Sequence, residues 1–162
     1  MIEQIQTDKT DDTEALGFQL AKKVSGGTVI ALHGDLGAGK TVFARGFARG
    51  LGIVEPVTSP TFSIIQEYPS ETLTLFHMDM YRINGEEDAL AFGIEDFLSD
   101  TTAVCLIEWP ERIAELLPAD HWQVQIQKLN ESERCITVVR PGQADFYSSS
   151  SRFRKPEIIT GT

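Results

Sequence analysis

One short stretch limits the possible folds more than any other: Gly34 to Thr41, reading GDLGAGKT, set between an apolar run and an amphipathic one. Glycine loses more conformational freedom on folding than any other residue, so three of them beside a lysine need a reason. The preceding TVIALH, Thr28 to His33, is apolar without alternation. That pattern suits a strand covered on both faces, as in a parallel sheet. The following KTVFARGFARGL places Val42, Phe43, Phe47 and Leu51 on one helical stripe, weakened by Gly46 and closed by Gly50 or Gly52. A buried strand, a glycine-rich turn and a helix, in that order, bring main-chain amides and a helix N-terminus to one point, where they can cradle a bulky anion.

The spelling is G-x-x-x-x-G-K-[ST] through Gly34, Gly39, Lys40 and Thr41, the P-loop pattern in the context that pattern requires. In such a loop a side chain at Gly37 or Gly39 pushes phosphates away from the amides. Lys40 supplies a point charge to the β/γ-phosphates, and the Thr41 hydroxyl coordinates Mg²⁺. The chemistry also needs an acidic residue at the end of a nearby strand. Glu108 ends AVCLIE and Asp79 follows LTLFHM, so both project at a sheet's carboxyl edge, where α/β proteins bind ligands. Glu108, with the longer apolar run before it, is assigned to the metal, and Asp79 to orienting or activating water. VTSPTF, Val57 to Phe62, offers Thr61 either as a sensor of the γ-phosphate or as part of a Ser-Pro turn that caps a strand. In HMDMYR, an extended chain puts His77, Asp79 and Tyr81 on one face. His77 reads as a satisfied core histidine or as a partner of the site, Arg82 as a cation that steadies a phosphate or pairs with the acidic run at the surface, and Trp109 as core or as a neighbour of the nucleotide.

The rest of the chain completes an α/β pattern. TDDTEALGFQLAKKV predicts a helix through Leu16, Leu20 and Val24, with cap oxygens from Asp11, Asp12 and Thr13. TFSIIQEY and LTLFHMDMY predict a hairpin turning at Pro69-Ser70-Glu71, and Glu86 to Leu98 a broken helix. TAVCLIEW predicts a doubly buried strand, PERIAELL a short helix opened by proline, and HWQVQIQKL and RCITVVR two closing strands. Helices interleaved with buried strands and hairpins predict a P-loop NTPase-like fold, with a mixed, mostly parallel central sheet flanked by helices. Residues 1–142 are expected to form one P-loop ATPase domain. Residues 143–162, serine-rich and without period, are expected to form a flexible C-terminal tail.

A chain of 162 residues with a formal charge of −10 repels free polynucleotide, so a role on RNA is expected to run through a partner. Six of its carboxylates lie in NGEEDALAFGIEDFLSD, without a cation, which reads as a solvated face or as a docking surface for a basic partner. Cys105 and Cys135 sit in apolar runs without metal-type spacing and read as core residues. The polar, acidic N-terminus is no signal peptide, and no apolar run reaches membrane-spanning length, so a cytoplasmic protein is expected.

GDLGAGKT, SPTF, HMDMYR and IEWPE, in this order on a short chain, resemble the TsaE (YjeE) family, over roughly Thr13 to Val139. The resemblance implies a small bacterial ATPase required for N6-threonylcarbamoyladenosine in tRNA. It implies ATP bound with Mg²⁺ and hydrolysed slowly, and association with TsaB and TsaD, whose complex it resets between turnovers. It implies that tRNA is met only through that complex. Carried onto this chain, it has Leu36, Gly37, Ala38, Gly39, Lys40 and Thr41 hold the phosphates, and Thr41 and Glu108 hold Mg²⁺. Asp79 serves hydrolysis, the segment with Thr61 acts as a switch, and Thr13 and Arg134 border the adenine. The alternative is a P-loop small-molecule kinase, against which stands the lack of an arginine-rich lid segment.

Overall fold

In a computed structural model that describes residues 3–142, seven strands form one sheet in the order β1-β7-β6-β2-β5-β4-β3. The strands are β1 (Glu3–Thr7), β2 (Val29–His33), β3 (Ile65–Tyr68), β4 (Thr74–Asp79), β5 (Ala103–Glu108), β6 (Trp122–Lys128) and β7 (Arg134–Val139). β6, β2, β5 and β4 are parallel neighbours, β7 and β3 oppose them, and β1 runs with the majority. This is the expected mixed, mostly parallel α/β sheet. From β2 the chain goes to β3, β4 and β5 on one side, then crosses to β6 on the other. The carboxyl end of β2 therefore lies at a switch in strand order, where a crevice opens.

Among the described residues the helices are α1 (Thr10–Ala21), α2 (Lys40–Gly50), α3 (Glu86–Ala91) and α4 (Ile94–Leu98). The break between α3 and α4 falls at Gly93, and the predicted PERIAELL helix is a 3-10 segment, Pro110–Leu116. α1 and α2 cover one face of the sheet, over Ile30, Leu32, Leu75, Val104 and Leu106. α3, α4 and the 3-10 segment cover the other, over Phe76, Met78, Cys105 and Ile107. Strand alternation thus sorts each buried run into two cores, which explains why β2, β4 and β5 show no polar–apolar alternation.

Gly46 does more than weaken α2. A Cβ there would lie 1.8 Å from the Glu14 carbonyl oxygen of α1, and one at Gly17 of α1 would lie 2.3 Å from the Phe43 carbonyl oxygen. The two helices touch backbone to backbone, and this contact fixes the axis of α2.

Several expectations need correction. α1 begins at Thr10 with Lys9 as its N-cap and no side-chain cap bond; Asp11 and Asp12 lie in the first turn, where negative charge suits the dipole. Thr13 points inward, its hydroxyl 3.1 Å from that of Thr7. β1, an edge strand paired antiparallel with β7, has no counterpart in the sequence reading, because its exposed residues hide the period. Residues 61–63 form a turn and not the start of β3. Cys105 is the buried core residue expected, its thiol pushed up to about 12 by desolvation, whereas Cys135, also read as core, is only half-buried. The expected tail, residues 143–162, lies outside the described residues.

A candidate phosphate-binding site at the end of β2

α2 starts directly at Lys40, with Gly39 as N-cap at φ 110° and Gly37 at φ 78°, a left-handed backbone that side chains rarely adopt. The first helical N–H bonded to a main-chain acceptor is that of Phe43, to Gly39 O at 3.0 Å. The amides of Lys40, Thr41 and Val42 precede it and have no intrahelical acceptor, so they are available to an anion. Ala38 is the exception in the loop: its N–H closes a turn onto Asp35 O at 3.1 Å.

The carboxylates arrive by register. Leu32 of β2 is paired with Glu108 of β5, and Glu108 with Asp79 of β4, so the three stand in one row across the sheet. Two residues earlier on β4, His77 pairs with Leu106. Alternation puts His77, Asp79 and Glu108 on the face of Leu75 and Leu106, the face covered by α1 and α2. All three are buried, as is Lys40. His77 Nε2 lies 2.8 Å from Glu108 Oε2, and the Tyr81 N–H donates to Asp79 Oδ1 at 2.9 Å. Tyr81 itself lies past the end of β4, half-exposed, its ring centroid 5.0 Å from that of Trp109.

Lys40 donates to Gly34 O at 2.7 Å, and its ammonium stands 4.2 Å from the centre of the Trp109 ring. Burial lowers its pKa, opposed by the charges of Glu108, Asp79, Glu111 and Asp35. Burial likewise raises the Asp79 carboxyl, against the pull of the Tyr81 N–H; the Glu108 charge adds to the rise, while Lys40 and His77 oppose it. A cation and a carboxylate near its end are thus both held where their charged forms are disfavoured, as at sites that do proton or phosphate chemistry.

The remaining predicted residues are placed as follows. Thr41 is half-buried in the first turn of α2. Leu36 is exposed at the loop tip. Thr61 bonds to Ser59 across a hydroxyl pair at 2.9 Å, and Phe62 beside it is 86% exposed under the Arg82 guanidinium, for which a phosphate or the acidic run was the expected partner. Ile64 closes this segment at φ 67°, a strained backbone for a β-branched residue, and its carbonyl accepts the Asp79 N–H at 2.8 Å. Thr13 and Arg134 do line one cleft, of about 290 Å³, beside Gly39. The Arg134 guanidinium is also occupied with main chain: Nε donates to Ala38 O at 2.7 Å, and Nη1 to Asn130 O at 2.9 Å and Glu133 O at 3.0 Å. It clamps the loop from β7, a role no local sequence signal announces. A second cleft, of about 540 Å³, lies between the loop, Trp109 and β6. A hollow larger than either, about 740 Å³ by Phe18 and Val54, contains no residue of the glycine loop, so size does not locate the site.

A β2–loop–α2 unit at a switch in strand order, with acidic residues closing the adjacent strands, defines a P-loop NTPase-like protein. The comparisons name the family. The model of the family described as "Threonylcarbamoyl adenosine biosynthesis protein TsaE" matches residues 7–136, and the chain belongs to that family. It is 42% identical over 137 residues to the tRNA threonylcarbamoyladenosine biosynthesis protein TsaE of Bacillus subtilis, covering 85% of each chain. It is 42% identical over 127 residues to the protein of that name from Treponema pallidum, covering 78% of this chain and 93% of the relative. The crystal structure of Bacillus subtilis YdiB is similar with a TM-score of 0.74 at 38% identity, over 88% of each chain.

Proposed function

We propose that this chain binds ATP with Mg²⁺ and hydrolyses it as the ATPase subunit of tRNA threonylcarbamoyladenosine formation. The observation that carries this reading is the row Leu32–Glu108–Asp79, which sets two buried carboxylates beside the loop that bears Lys40 and Thr41. Residues 1–142 act as the ATPase domain. The amides opening α2, with Leu36, Gly37, Ala38 and Gly39 of the loop, receive the phosphates through main-chain donors. Lys40 exchanges Gly34 O for a phosphate oxygen. Thr13 and Arg134, in the cleft beside Gly39, face the base, and Thr61 senses the γ-phosphate.

The donor set fits magnesium. Among the described residues, no group of three or more His, Cys, Asp or Glu side chains could hold a metal ion. Mg²⁺ is generally bound through one or two carboxylates together with waters and substrate phosphates, and Glu108 with the Thr41 hydroxyl supplies that. When bound, Mg²⁺ neutralises charge on the phosphates. Asp79, buried at the end of β4 with its carboxyl raised by desolvation, takes the part of orienting or activating the attacking water.

The relatives' names supply the pathway, and the charge of −10 fits a subunit that meets tRNA only through partners, here TsaB and TsaD, in the cytoplasm. Among the described residues, no helix is long and apolar enough to cross a membrane. Phosphate release from ATP, measured alone and with TsaB–TsaD and tRNA, tests the proposal. Strong stimulation by the complex is expected, as is loss of magnesium dependence in Glu108→Ala. A phosphorylated nucleoside or sugar on incubation with ATP would instead identify a small-molecule kinase.

A further inference from the structure

His77 has no assigned part in the chemistry, yet it is the least comfortable residue near the site. It is 0% exposed, on a strand whose other buried residues are mostly apolar, and its Nδ1 is buried with no hydrogen-bond partner. A buried polar atom left unpaired costs stability, and a leucine or methionine would fill the same space without that cost. What His77 gains is one bond, from Nε2 to Oε2 of Glu108 at 2.8 Å, with both side chains out of solvent. A carboxylate only accepts, so Nε2 is the donor, and the ring offers that proton to nothing else.

We propose that His77 is a positioning residue: by holding Oε2 of Glu108 it fixes the carboxylate so that its other oxygen, Oε1, is presented to the magnesium water shell. This rests on the magnesium role proposed for Glu108. The physical reason is rotameric. A glutamate has three side-chain torsions, and a single buried bond at its tip removes that freedom before the nucleotide arrives. Such outer partners of metal-binding side chains typically contribute a factor of about 10 to 100 in metal affinity.

The test exploits two amides of similar character. The Gln side-chain nitrogen falls near the position of histidine Nε2, whereas that of Asn falls near Nδ1 and cannot reach Glu108. ATP dissociation constants are measured in EDTA and in excess magnesium for the parent, His77→Asn and His77→Gln. The expected result is unchanged affinity in EDTA for all three. The gain from magnesium should shrink about tenfold or more in His77→Asn and stay within about threefold of the parent in His77→Gln. A role in packing alone would lower the melting temperature of both variants and leave the magnesium gain intact, which would overturn the proposal. Equal loss in both variants would overturn it too, because a donor at that position would then not be what matters. If neither variant folds, the parent decides. With only three histidines in the chain, the His77 Nε2 signal of nitrogen-15-labelled protein must move when magnesium is added to the ADP complex, and an unmoved signal overturns the proposal. A parent with no magnesium dependence brings down the proposed function and this inference together. Dependence in the parent that survives in His77→Asn brings down this inference alone.

Discussion

The carboxyl ends of β4 and β5 and the seam between α1 and α2 are both buried, and they are built on opposite terms. At the strand ends, His77, Asp79, Glu108 and Lys40 crowd ionisable groups into a space where burial disfavours the charge of Lys40 and of Asp79. At the seam the contact is main chain: Gly17 and Gly46 remove side chains so that two backbones meet, and the one ion pair joining the helices among the described residues, Arg49 to Glu14 at 2.6 Å, lies at its solvent edge. The first region carries an electrostatic cost, and the second supplies rigidity. They meet in α2, whose first turn faces the carboxylates and whose flank is sealed to α1. The loop of this chain thus depends on what fixes its helix as well as on its own glycines.

The largest effect should separate chemistry from binding at the strand ends. Asp79→Asn is expected to lower the rate of phosphate release by about 10²- to 10⁴-fold, the usual range for a general base, with ATP affinity retained in calorimetry. Equal loss of affinity would move Asp79 from the chemistry to the binding of nucleotide.

Next in size is the seam. Helix propensity alone predicts that Gly46→Ala stabilises α2 by about 1 kcal/mol. The 1.8 Å approach to Glu14 O predicts the reverse, a net loss of about 3 kcal/mol, seen as a fall of roughly 10 °C in thermal unfolding. A rise would mean that the two backbones are not in contact.

Lys40→Met should weaken ATP binding by about ten- to a hundredfold, the scale of a lost charge-assisted contact. The smallest effect is a stability difference with a pH signature. Folding raises the Asp79 carboxyl above its ordinary 3.8, so the folded state holds that proton more readily than the unfolded one. The parent's stability is therefore whole below 3.8 and declines as pH rises through the folded value. Asp79→Asn, which cannot ionise, should melt above the parent at pH 7, and the gap should close as the solution is acidified below pH 4. A gap that widens on acidification would mean that the folded carboxyl lies below 3.8.

Much of this was legible along the chain. The run TVIALH, the spacing Gly34–Gly39–Lys40–Thr41 and the carboxylates ending AVCLIE and LTLFHM located the strand, the loop and the acidic pair, because each depends on neighbours within a few residues. The hairpin turn at Pro69 and a broken helix over Glu86 to Leu98 were readable for the same reason, though the break itself, at Gly93, was not located. What escaped depends on distant partners. Arg134 reaches back ninety-six residues to Ala38, and a guanidinium opening a strand spells nothing of that. His77 was ambiguous until β4 and β5 were in register. The expected cap at Asp11–Thr13 failed because β1, itself invisible, feeds α1 from Thr7 and turns Thr13 inward.

Local geometry was written into neighbouring residues: a left-handed turn that only glycines take easily, a helix starting at a lysine, and strands ending on acids. Tertiary structure alone decided that Glu108 lies between the strand of the loop and the strand of Asp79, that His77 spans to it, and that two helices close on Gly46. Local rules act through torsions and nearest neighbours, whereas strand order and helix contact come from burying every apolar face at once, a condition set by the whole chain.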